Sequence, residues 1–198
     1  MSTPMQVFGS DEQNVVAVDV LRYLRLAQLV LVEERVQPDA EMSVVFVGED
    51  TMADLNERFL EGDGPTDVLA FPIDDDALPG GRQPDQGGRG PGSPADESAP
   101  PTVLGDVLVC PAVAQRQAEA LGRSLDDELA LLVVHGVLHL LAYDHAEPEE
   151  TVTMQRRETE LLGKFGASET PGEGTPGEGT PGEGTPGDET GGEADDRQ

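Results

Sequence analysis

All three histidines of this 198-residue chain fall within eleven residues, His135-Gly136-Val137-Leu138-His139-Leu140-Leu141-Ala142-Tyr143-Asp144-His145. On a helix turning about 100° per residue, His135 and His139 lie about 40° apart on one face, the spacing that lets two imidazoles share a metal ion. A continued helix would carry His145 about 120° away from His139. The chain must therefore turn between Leu141 and Asp144 for three rings to meet. Tyr143-Asp144 has weaker helix preference than the residues before it, which suits a break there. Three neutral imidazoles on Zn²⁺ leave a fourth tetrahedral position for water, the pattern of a catalytic zinc. Water held there ionises near neutral pH and attacks a carbonyl or phosphoryl centre. The spacing predicts a single-zinc hydrolase with His135, His139 and His145 as ligands.

Neighbouring residues offer further roles. Asp144 is placed to orient a histidine ligand, or else to cap the turn. A closed structural zinc needs a fourth ligand, for which Asp144, Asp67 and Cys110 are the candidates. Asp67 and Thr66, following Pro65, also have the composition of an ordinary turn. The same histidine spacing occurs in metzincin proteases, H-E-x-x-H-x-x-G-x-x-H, where the Glu is the general base. Gly136 stands at that position here and cannot take a proton from water, which argues against a protease.

The elements that must position these residues are legible as hydrophobic patterns. A short apolar start, Met5 to Phe8, precedes a predicted helix from about Glu12 to Arg35, in which Val16, Val20, Tyr23, Leu24, Ala27 and Leu31 recur at three- and four-residue steps apart from the adjacent pair at 23 and 24. Met42 to Val47 reads as a buried strand, Asp50 to Leu60 as a helix with Met52, Leu55 and Phe59 on one side, and Asp67 to Pro72 as a short strand. Val103 to Cys110 is the next strand. A helix then runs from Pro111 to Leu121, with Pro in its first turn and Gly122 as its stop. Ser124-Leu125-Asp126-Asp127 is a variant capping pattern that opens a very apolar helix reaching about Leu141. The last helix is expected from Pro148 to Phe165. The fold class expected is α/β (α+β), a small mixed sheet of about four strands packed with about five helices, with the histidines at the end of the central apolar helix.

Two segments lack any periodicity. Residues 74–102 are expected to form a mobile loop joining two strands, and 166–198 a disordered acidic tail built on the repeat TPGEG at Thr170, Thr175 and Thr180. The domain is thus 1–165. The 24 Gly and 16 Pro cluster largely in these segments. The formal charge is -28; residues 168–198 hold nine acids and one Arg, residues 74–99 six acids and two Arg, so the remainder still carries -16. That balance excludes a nonspecific nucleic-acid binder working through a net positive field. A single cysteine, Cys110, rules out an intrachain disulfide. With no basic leader and no long apolar run, the expected setting is cytoplasmic, with no membrane partner.

The histidine stretch resembles the signature of the YbeY family of endoribonucleases, H-G-x-L-H-L-x-G-Y-D-H, and agrees at eight of its nine specified positions. Pro65-Thr66-Asp67-Val68-Leu69-Ala70-Phe71-Pro72 is similar to the family's PTDVLSFP segment, and Leu104-Gly105-Asp106-Val107 to its LGDI strand. Leu55-Asn56 also fits. The resemblance covers about 40–165 outside the loop. It implies a small α/β fold, one catalytic zinc on His135, His139 and His145, cleavage of single-stranded RNA, and a place in ribosomal RNA maturation and ribosome quality control. The partners implied are ribosomal RNA, the small ribosomal subunit and ribosome-associated proteins. Ala142 replaces the pattern's Gly; if that position needs a positive φ, Ala costs about 1 kcal/mol there. Many members carry an Arg where Leu60 aligns, and Arg58, two residues away, is the candidate to act in its place. The alternative is a non-catalytic ribosome-assembly or protein-binding factor with a mainly structural zinc, which the acidic balance favours.

Overall fold

From Ala40 to Phe46 every second residue is buried, the signature of a strand covered on one face by the main core. This strand, β2, lies inside a four-stranded mixed sheet of order β1-β2-β4-β3. In the computed structural model, which describes residues 5–73, 102–143 and 147–169, the elements run β1 (Gln6–Asp11), α1 (Val20–Glu33), β2 (Ala40–Phe46), α2 (Glu49–Leu60), β3 (Val68–Pro72), β4 (Thr102–Val109), α3 (Pro111–Leu121), α4 (Leu125–Leu140) and α5 (Pro148–Glu169). β1 and β4 pair parallel to β2, and β3 pairs antiparallel to β4. Four strands and five helices form the α/β architecture expected from the sequence. Among the described residues no helix is long and apolar enough to cross a membrane.

The two sheet faces carry separate cores. Met42, Val44 and Phe46 of β2 and Leu104, Val107 and Val109 of β4 pack with α1, α4 and α5. On the other face Leu69, Val47, Cys110 and Val113 gather around Met52 of α2. Met52 is fully buried, whereas Phe59, expected on the same side, is largely exposed and meets Phe71 of the edge strand, ring centre to ring centre 5.0 Å. The pairing of β2 with β4 shifts register between Glu41 and Met42, leaving Leu104 as the extra residue of a bulge. Gly105 follows at φ 137°, where a Cβ would fall 2.1 Å from the Phe71 carbonyl oxygen. Only glycine lets β3 come that near.

Several boundaries differ from the sequence expectation. α1 begins at Val20, not near Glu12. The Gln13 side chain accepts from the N–H groups of Val15 and Val16 and donates to the Val16 carbonyl, offering the backbone a local alternative to helix. Asp19 then caps α1 by accepting from the Arg22 N–H. Val16 is buried although it lies in this loop, which is why it joined the helical pattern. At the other end α5 continues to Glu169, whose carboxylate pairs with Arg22 of α1 at 2.9 Å and so holds the last turn. β4 likewise takes in Thr102. The remainder of the expected loop, 74–101, and the TPGEG repeat lie outside the described residues.

Candidate metal centre

α4 is the central element, packed against β3, β4, α1, α3 and α5. Ser124 caps it as expected, accepting from the Asp127 N–H. Ten of its sixteen residues are buried, and His135 and His139 emerge half-buried on one side of its last two turns. Gly136 lets the helix press onto the sheet: a Cβ there would meet Val107 Cγ1 at 2.5 Å and Val68 Cγ2 at 3.2 Å. The metzincin glutamate therefore has neither its chemistry nor its space at this position.

The helix ends where the histidine spacing demands a turn. The Ala142 N–H donates to the His139 carbonyl and the Tyr143 N–H to the Leu138 carbonyl, the paired bonds of a Schellman stop. Ala142 sits at φ 63°, the left-handed conformation that this motif requires. Tyr143 donates its hydroxyl to Glu34, the residue that caps the end of α1, at 2.9 Å, and Arg157 of α5 grips the same carboxylate at 2.6 Å. Burial, then the Glu34 hydrogen bond, pushes the Tyr143 pKa up. The chain leaving α4 is thus tied to two other helices immediately before Asp144. Asp144 and His145 themselves lie outside the described residues.

His135 and His139 turn their Nε2 atoms toward each other at 3.1 Å, with ring planes inclined at 78°. Two imidazole nitrogens on one tetrahedral zinc at ~2.05 Å would stand about 3.3 Å apart, so this pair fits a shared ion with little movement. Among the described residues no three His, Cys, Asp or Glu side chains gather as a complete metal cage.

On the far side of His135, Nδ1 lies 2.8 Å from Glu158 Oε1 of α5. Glu158 belongs to no motif of the sequence. Its signal was present, because the buried stripe of α5 reads Met154, Glu158, Leu161, Phe165. An acid in an apolar stripe needs a partner.

Beside the imidazole pair opens a cavity of 570 Å³, lined by Leu131, Leu132 and Met154 together with His135, Glu158 and Asp67. Asp67, a candidate fourth ligand, is already engaged: its carboxylate accepts from Thr66 Oγ1, the Val68 N–H and Gln117 Nε2 at 2.8 to 3.1 Å. That is the turn chemistry its sequence context suggested, extended by a bond to α3. Cys110 is buried in the core under α2, where burial raises its thiol pKa, and it does not line the cavity. Arg58 is exposed near the end of α2, away from the lining residues, as is Leu60.

This arrangement can be set beside known proteins. The family model described as Endoribonuclease YbeY matches residues 9–166. The chain belongs to the YbeY family. Among curated YbeY proteins, that of Thermobifida fusca is 46% identical over 164 residues, covering 83% of this chain and 96% of the relative. The YbeY of Salinispora tropica is 46% identical over 153 residues, 77% of this chain and 92% of its own. The YbeY of Acidothermus cellulolyticus is 47% identical over 155 residues. Each carries the name Endoribonuclease YbeY. A solution structure from Thermotoga maritima aligns over 86% of this chain and all of its own, at 24% identity and TM-score 0.49.

Proposed function

We propose that this YbeY-family chain is a zinc-dependent endoribonuclease that cleaves single-stranded RNA, with His135, His139 and His145 as the metal ligands. The observation that carries this reading is the convergence of His135 Nε2 and His139 Nε2 at 3.1 Å beside a 570 Å³ cavity. Membership of the endoribonuclease YbeY family supports the reaction class. When bound, zinc supplies a Lewis acid and lowers the pKa of water it carries. The residues of the chain hold and surround it. The Schellman stop at Ala142 ends α4 immediately after His139, and Leu131, Leu132 and Met154 line the cavity beside His135. Asp144 is assigned to orient a histidine ligand, and Arg58 to contact a substrate phosphate beyond the cavity.

The resemblance extends the proposal to ribosomal RNA maturation and ribosome quality control in the cytoplasm, with the small ribosomal subunit and its associated proteins as partners. Cleavage of single-stranded RNA by purified protein tests the core of it. Activity is expected to vanish with chelator and in His139→Ala, and to fall in Arg58→Ala without loss of bound zinc. Activity that survives both chelator and His139→Ala refutes the zinc mechanism. The acidic balance favours one other reading, an assembly factor with a structural zinc. Full RNA processing in cells carrying a zinc-bound but cleavage-dead variant would establish that instead.

A further inference from the structure

We propose that Glu158 is a positioning residue that fixes the tautomer and orientation of His135, so that its Nε2 lone pair is presented to the metal; this rests on the zinc reading above. A neutral imidazole has one N–H donor and one acceptor nitrogen, and whichever bond one nitrogen makes decides the other. An ionised carboxylate only accepts. Glu158 Oε1, 2.8 Å from His135 Nδ1, therefore places the proton on Nδ1 and makes Nε2 the lone-pair nitrogen, on the side where His139 Nε2 lies 3.1 Å away. A carboxylate behind a ligating histidine also raises its basicity, and loss of such a partner typically costs 10- to 100-fold in metal affinity.

The placement of Glu158 makes an incidental contact a poor account. It occupies a core position, 8% exposed, between Met154 and Leu161 on the buried stripe of α5. Burial there is costly for an unpaired carboxylate, and leucine would suit the stripe better. The neighbouring Arg157 does not neutralise it, since its guanidinium goes to Glu34 and Glu160. The other buried acid facing this cavity, Glu128, is paired with Arg123 at 3.3 Å. The bond to His135 is the interaction that accounts for Glu158 at this site.

Full-length wild type, Glu158→Gln and Glu158→Leu distinguish positioning from packing. Zinc affinity would be read by competition with a chromophoric chelator, and the His135 tautomer by long-range ¹H–¹⁵N correlation in the metal-free protein near pH 8. Wild type is expected to show His135 with its proton on Nδ1. Glu158→Leu should bind zinc 10- to 100-fold more weakly while melting at or above the wild-type temperature. Glu158→Gln, whose amide oxygen still accepts the bond, should fall between. Wild-type affinity in Glu158→Leu, or a proton on Nε2 of His135 in the metal-free wild type, overturns the proposal. If wild type bound no zinc but His135 still carried its proton on Nδ1, the metal reading would fail and the carboxylate–imidazole pairing would stand.

Discussion

Ala142 shows how one residue trades stability against site geometry. It is exposed, makes the second position of the turn after α4, and holds φ at 63°. An L-residue in that conformation is strained by about 1–2 kcal/mol, because Cβ crowds the backbone carbonyl. Replacing it by Gly removes the strain and gives back part of the gain as unfolded-chain entropy, roughly 0.4–1 kcal/mol. Ala142→Gly should therefore raise stability by about 0.5–1 kcal/mol, or about 2–4 °C in melting temperature for a chain of this size. Its zinc affinity should hold or improve, since the Schellman bonds to His139 and Leu138 are kept. A lower melting temperature would show that another force holds this turn. Arg35 and Glu61 also sit at positive φ after α1 and α2, so left-handed stops without glycine recur in this chain.

At the scale of elements, α4 is held to the sheet at Gly136 and fixed at its end by the contacts between α1 and α5. A methyl at Gly136 would overlap Val107 by enough to force α4 away from β4 or to turn the valine out of place. Overpacking of this kind costs about 1–3 kcal/mol, and because His135 is the preceding residue, Gly136→Ala should also weaken zinc binding. A variant as stable as wild type, with unchanged affinity, would mean that Val107 yields freely. Between α1 and α5, Arg157 bonds Glu34 and Glu160, and Lys164 bonds Glu33 and Glu160. Arg157, then Lys164, hold the Glu160 carboxyl down to about 2 from its ordinary 4.5. A folded pKa below the unfolded one stabilises above the unfolded value and loses that contribution as pH falls toward the folded one. Glu160 is solvent-exposed, so the effect is screened and small. Melting curves of wild type and Glu160→Gln at low salt should differ above pH 5 and converge as pH approaches 2; a constant gap would remove Glu160 from the acid response.

The same scale shows what the sequence could reveal. α3 was legible to the residue because Pro111 and Gly122 mark both ends, and α4 because Ser124 caps it. β2 announced itself through the apolar, β-branched run of Val44, Val45 and Val47 around Phe46. The start of α1 was hidden because Val16 is buried from a loop and so mimics helical periodicity. The imidazole pair followed from helical spacing alone. Glu158 did not, because its partner lies 23 residues away and on a different helix. No local spacing rule relates the two; only the acid's place in an apolar stripe marks it.

Across the whole molecule, charge sets the terms on which RNA can approach. Outside the stretches 74–99 and 168–198 the chain still carries -16, so an approaching polyanion meets net repulsion, which moderate salt screens beyond about 8–10 Å. Proteins that bind RNA through many cationic contacts lose affinity steeply as salt rises. Here screening should act in the opposite sense. Between 50 and 200 mM monovalent salt, kcat/KM for single-stranded RNA should stay level or rise, because the repulsion that slows encounter is damped. The acidic repeat adds to that repulsion. Residues 170–198 carry eight acids against one Arg, while Glu169 still closes α5 onto Arg22. A chain ending at Glu169 should keep its melting temperature and zinc affinity. Its association with RNA at low salt should be faster than that of the full chain, and the difference should shrink by 200 mM. A steep fall of kcat/KM with salt in both chains would instead point to a local cluster of cationic contacts around the site, with Arg58 the first residue to test. Equal low-salt rates for the two chains would mean that the tail's charge acts too far from the imidazole pair to influence the encounter.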